Sequence, residues 1–181
     1  MTARLVVARA NARAPRRPPR ARVPVAYDAL ADAASANELL GSFLDHPVKP
    51  HELTTVRALQ GAVEMIADAL IDGSPPPANA LKALNALAAE QEVTYAIERQ
   101  RDGTLRTTLR PQRASTVATL VIGVMDELAA LEPSRLRRCA RHECNLVFYD
   151  ATRSGTQRWH AERPCGLRER QRRHRISHRL R

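Results

Sequence analysis

The chain has 181 residues, enough for one domain or for one domain and a small module, and its 29 Lys and Arg against 19 Asp and Glu give a net charge of +10. No stretch approaches the ~18 apolar residues of a membrane span, and the apolar run at 5–8 is too short for a secretory core. Three cysteines cannot pair completely, which argues against a disulfide framework and for reduced thiols in a cytoplasmic protein.

The charge is partitioned along the chain. Residues 1–23 hold 7 basic and no acidic groups, residues 24–133 hold 8 and 15, and residues 134–181 hold 14 and 4. An acidic middle between basic ends points to parts with different partners. Nearly all the positive charge is arginine, since Lys49 and Lys82 are the only lysines.

Residues 1–23 carry Pro15, Pro18 and Pro19 among scattered arginines and little to bury, so a disordered basic arm is expected there. Such an arm contacts phosphates or is simply a solvated tail. A helix is predicted over 27–44, with Leu30, Ala33, Ala34, Leu40, Phe43 and Leu44 sharing a side, before Pro47 and Pro50 break it. Val56, Leu59, Val63, Ile66 and Leu70 mark a clearer helix, ended by Asp72-Gly73. A third helix is predicted over 78–90, with Leu81, Leu84 and Leu87 inward. The period then changes to two. Val93, Tyr95 and Ile97 alternate with polar residues, Asp102-Gly103 offers a turn, and Leu105, Thr107 and Leu109 alternate again, which is a β-hairpin pattern. A last long helix over 115–131 places Val117, Leu120, Val121, Val124 and Leu128 on one face.

These elements define a mainly α fold with a small β-hairpin (α+β). A helical domain over 24–133 is followed by a small metal-folded module over 134–181. The helical region holds no Gly-rich phosphate loop and no nucleophile elbow, and Asp28, Asp32, Glu64 and Asp68 read as a solvated face. Dimerisation, or a small effector held between helices, is the role left for it.

The module carries the chemistry. Cys139 and Cys144 have four residues between them, as do His160 and Cys165, and fifteen residues join the two pairs. Two clips joined by a longer excursion are how a chain surrounds a tetrahedral zinc ion. About 48 residues with few aliphatic side chains make a poor core alone, and one structural Zn2+ would supply the missing stability. Four protein ligands leave no open position for water, so the site is expected to be structural and the protein not an enzyme. A zinc hydrolase with one ligand displaced is the alternative, but no general base is recognisable near the cluster. His142, inside the first clip, is an alternative to His160. Phe148, Tyr149 and Trp159 are expected to pack around the metal, with base stacking as the other reading.

After Cys165 comes a run of arginines, in which Arg168, Arg172, Arg175 and Arg179 fall on one side of a helix. Forked guanidiniums on such a helix suit a phosphate backbone or a guanine edge, and Arg153, Arg158, Arg168, Arg172 and Arg175 are the candidate nucleic-acid contacts. A solvated or frayed tail is the plainer reading of the same run.

The segment Cys139…Cys144, Val147-Phe148-Tyr149-Asp150 with Thr152-Arg153, Arg158-Trp159-His160 and Cys165-Gly166-Leu167-Arg168 resembles the CGNR zinc finger. That finger lies at the C-terminus of bacterial proteins whose N-terminal part is the ABATE domain of stress-induced transcription regulators. The helical region is similar in layout, with Leu84-Asn85-Ala86-Leu87 and the hairpin in matching places. His160 stands where the family usually has Cys, which zinc tolerates as a Cys3His site. Leu167 replaces the Asn of the eponymous tetrad, so any hydrogen bond of that Asn is lost. The resemblance implies a transcription regulator that binds DNA. A protein- or RNA-interaction module with a structural zinc site is the alternative.

Overall fold

The computed structural model describes residues 30–113, 115–141, 143–144 and 146–179. The expected basic arm, the start of the first predicted helix and the alternative ligand His142 lie outside the described residues. Among the described residues, no helix is long and apolar enough to cross a membrane.

The fold is mainly helical with the small antiparallel hairpin that the sequence pattern implies, and it adds a second, shorter ribbon that the pattern does not predict. Helix α1 (Ala33–Leu40) is shorter than predicted and passes into a 3-10 turn over Gly41–Phe43. It starts at Asp32, whose carboxylate accepts a hydrogen bond from Ser35 N at 2.8 Å and satisfies one of the free N–H groups of the first turn. Ala36 and Leu40 are its buried positions; Ala34, expected on the apolar side, is exposed. Asn37 grips the loop that follows, donating to Val48 O at 3.0 Å and accepting from Val48 N at 2.6 Å.

Helix α2 (Leu53–Ile71) is the spine of the molecule. Val56, Leu59, Val63 and Ile66 recur every three or four residues and are all buried. It ends where the sequence says it must. Gly73 takes a left-handed φ of 69°, Gly73 N bonds Leu70 O at 3.2 Å and Ser74 N bonds Ala69 O at 2.8 Å. That double closure satisfies the last carbonyls, and a side chain at Gly73 would be strained. Helix α3 (Ala78–Ala89) buries Ala80 and Leu84, but Leu81, predicted inward, is 42% exposed.

Strands β1 (Val93–Arg99) and β2 (Leu105–Pro111) pair antiparallel from Val93↔Pro111 to Arg99↔Leu105. Gly103, at φ 85°, and Asp102, whose carboxylate accepts from Thr104 N and Oγ1, make the turn. The more apolar face of this ribbon is the solvent face. Tyr95, Ile97 and Leu105 are 82%, 73% and 72% exposed, whereas Ala96, Glu98 and Thr108 on the other face are half-buried. Arg106 reaches Asp126 on helix α4 (Thr116–Ala130) at 3.5 Å. Tyr95→Thr and Ile97→Thr should therefore change unfolding free energy by no more than about 0.5 kcal/mol in a urea titration, as for other exposed strand positions.

Helix α4 is capped by Ser115, whose hydroxyl accepts from Ala118 N at 3.1 Å, and buries Val117, Leu120, Val121 and Val124. The hydrophobic core they build does not stop at the helices. Leu136, on strand β3 (Leu136–Arg138), and Val147, on strand β4 (Val147–Tyr149), belong to the same buried cluster as Val56, Val63 and Leu120. Arg138 of β3 also pairs with Asp68 of α2. The C-terminal module is thus seated on the spine helix.

Candidate metal centre

Strands β3 and β4 pair in the register Leu136↔Tyr149, Arg137↔Phe148 and Arg138↔Val147. The pairing continues one step through Cys139 N to Leu146 O at 2.8 Å, and a tight turn closes with Cys144 N to Arg141 O at 3.0 Å. This places Cys139 and Cys144 side by side at the end of a ribbon. The second pair comes from the far end of the excursion. Ala140 N donates to Arg158 O at 2.8 Å, which returns the chain beside the first clip just before His160. Cys165 sits in the wide turn Glu162–Gly166 that opens helix α5 (Leu167–Arg179).

Asp150 holds the excursion in shape. Its buried carboxylate accepts from Thr152 Oγ1 at 2.5 Å, Thr152 N at 3.0 Å and Gln157 N at 2.7 Å. The Thr152 hydroxyl bond, with those backbone donors, holds the Asp150 carboxyl below the usual carboxylate range. Arg135 braces the same loop from below through Thr152 O at 2.7 Å.

The ligating atoms of Cys139, Cys144, His160 and Cys165 lie within 4.8 Å of one another. His160 turns Nδ1 toward the sulfurs, 3.3 Å from Cys144 Sγ and 3.7 Å from Cys165 Sγ. A tetrahedral zinc with ordinary Zn–S and Zn–N bonds holds sulfur and nitrogen roughly 3.6 Å apart, close to both of these distances. Cys139 and Cys165 are buried, and Cys144 and His160 half-buried.

The electrostatics call for a cation. Burial, and then the Cys165 and Cys139 sulfurs, push the Cys144 thiol up to about 12, against a backbone hydrogen bond from Leu146 that lowers it. Burial and then the charge of Arg141 keep His160 below its ordinary value, favouring the neutral imidazole that ligates metal. A divalent ion offsets the upward push on Cys144 by stabilising the thiolates that bind it. Three thiolates, a neutral imidazole and Zn2+ sum to one negative charge. Arg141 answers it: burial opposes its charge, but hydrogen bonding to Cys165 and the pairing with Glu143 raise its pKa.

One residue at the site carries no sequence signal of its role. Glu169, in the first turn of α5, is 3% exposed and accepts from Arg172 Nε at 3.0 Å, Arg172 Nη2 at 2.7 Å and Arg173 Nε at 3.3 Å. The Arg172 bond is the chief reason its carboxyl falls from 4.5 to about 2. Trp159 lies under two guanidiniums, Arg158 at 5.4 Å and Arg170 at 5.7 Å from the ring centroid.

The candidate nucleic-acid arginines divide into two groups. Arg168, Arg172 and Arg175 line one face of α5 together with Gln171. Arg153, on the exposed excursion, and Arg158, beside Trp159, lie off that face.

A mostly helical domain closed by a four-ligand Cys3His centre defines a zinc-finger protein with one structural zinc. The CGNR zinc finger family matches residues 135–178, and the ABATE family, described as "Putative stress-induced transcription regulator", matches residues 3–141. The chain belongs to the ABATE family and ends in a CGNR finger. Among curated proteins, none matches the chain.

Proposed function

We propose that this protein is a cytoplasmic DNA-binding transcription regulator that grips duplex DNA with the arginine face of α5. The carrying observation is that Arg168, Arg172 and Arg175 line one helix face that begins two residues after the zinc ligand Cys165. A helix start fixed at the metal presents its guanidiniums in a set direction, and a guanidinium fork matches phosphate geometry. Glu169 does not cancel this face. It is buried, and it occupies two of the five donors of Arg172, which leaves three for a phosphate while fixing the fork. Arg153, at the exposed excursion, is a flanking contact, and Arg158 supplies charge beside it. The zinc acts structurally and the protein is not an enzyme, because four protein ligands leave the metal no site for substrate. Dimerisation falls to the helical domain.

The test is the salt dependence of binding to a mixed-sequence duplex, followed by fluorescence anisotropy of the zinc-loaded chain. Three phosphate contacts on α5 should give log K against log salt a slope of about −2.7, and each of Arg168→Ala, Arg172→Ala and Arg175→Ala should flatten it by about 0.9. Absence of binding at low salt, or indifference to salt, overturns the reading. Preference for RNA over the duplex in competition would make the finger an RNA-binding module.

A further inference from the structure

Where the finger meets the spine helix there is a groove of about 680 Å3. Its floor is apolar, made by Leu70 and Ile71 at the end of α2 and Leu136 of β3, and its walls carry Arg137, Arg138 and Arg158. No carboxylate is among its lining residues. The size falls within the range of small-molecule pockets, and the junction of two structural units is where such pockets concentrate.

The guanidiniums are unequally satisfied. Arg138 is held by Asp68 on α2. Arg137 donates through Nη2 to Gly155 O at 2.6 Å, but its Nε is buried without a hydrogen-bond partner among the described residues. A buried donor on a charged group is costly to leave unmet, and an oxyanion meets it with a charge-assisted hydrogen bond. Arg158, across the groove, is exposed and lies over the face of Trp159. At the end of α2 the Leu70 and Ala69 carbonyls are closed by Gly73 N and Ser74 N.

We propose that this groove binds a small amphiphilic anion, an apolar chain or ring ending in a carboxylate or phosphate, with the apolar part on Leu70 and Ile71 and the anionic end between Arg137 and Arg158. The ligand touches both the spine helix and the finger, so it is placed to couple them. Its regulatory use rests on the DNA-binding reading above; the binding itself does not.

Trp159 is the only tryptophan of the chain, and Arg158 joins its ring to the groove. The zinc-loaded protein is therefore titrated with sodium decanoate by calorimetry and by Trp159 emission, with decyltrimethylammonium, acetate and inorganic phosphate as comparisons. Decanoate should saturate a single site, the cationic chain should not, and acetate and phosphate should bind at least about tenfold more weakly, since burying two methylenes is already worth that factor. Arg137→Ala and Arg158→Gln should each weaken decanoate about tenfold by calorimetry, with one zinc equivalent and unchanged circular dichroism as proof of folding. Arg158 is exposed, so its variant remains informative even if the Arg137 variant misfolds. No saturation, equal binding by the cationic chain, or unchanged affinity in the folded variants overturns the proposal. So does phosphate binding as tightly as decanoate, which would make the groove a contact for a nucleic-acid phosphate. Arg175→Ala separates the two readings: it should weaken the duplex and leave the decanoate isotherm in place.

Discussion

Replacing Cys165 with serine should strip the protein of its zinc and unfold the chain beyond about residue 138. Cys165 is fully buried, supplies one of four ligands and stands at the entry to α5. A structural zinc contributes on the order of 10–16 kcal/mol to a small finger at neutral pH, far more than the few aliphatic side chains of this module can replace. Metal analysis should fall from one zinc per chain to none, with loss of helical dichroism corresponding to α5 and of the fixed environment of Trp159. The helical domain, with its own packing of α1, α2 and α4, should keep a cooperative transition. His160→Ala should behave alike. One retained zinc equivalent in Cys165→Ser, with α5 intact, would show that the tetrahedron is not what folds the finger; unchanged metal in His160→Ala alone would transfer the ligand role to His142.

The second large effect is expected where the finger packs on the helices. Leu136→Ala removes a side chain that is 2% exposed and packed in the same cluster as the helical core. A cavity of that kind costs about 2–5 kcal/mol. The loss should appear in both halves. Urea unfolding followed by far-ultraviolet dichroism, which reports the helices, and by Trp159 emission, which reports the finger, should shift to lower midpoints together. If only the Trp159 signal moved, the finger would be an independent module and the shared core would carry no coupling.

Much of this architecture can be read from residue order. The spacing of Val56, Leu59, Val63 and Ile66 marks the spine helix, Asp72-Gly73 its end, and Asp102-Gly103 the hairpin turn, because each rests on local backbone geometry. The paired spacing of Cys139, Cys144, His160 and Cys165 marks the metal centre for the same reason: a short clip must close on itself. What depends on tertiary placement is hidden. Alternation along 93–97 shows that a strand has two faces but not which one meets α4, and the face bearing Tyr95 and Ile97 is the exposed one. Leu81 fits a helical period and still reaches solvent, since α3 lies at the margin of the core. Strands of three residues, such as β3 and β4, have no period to detect, so the seating of Leu136 and Val147 on the helices leaves no trace in the pattern. Glu169 looks like one more charge in an arginine run, and only the fold turns it inward against Arg172 and Arg173.

The seating of the finger bears on how this protein can be cut and recombined. A chimera that carries residues 134–179 to a new host would bring Leu136 and Val147 with no apolar seat to receive them, while the helical remnant would show a bald hydrophobic scar where those two side chains had packed. Both pieces would be sticky. Swapping fingers between relatives should succeed only when the donor brings side chains shaped for the end of the recipient's spine helix, so the two halves are constrained to change in step.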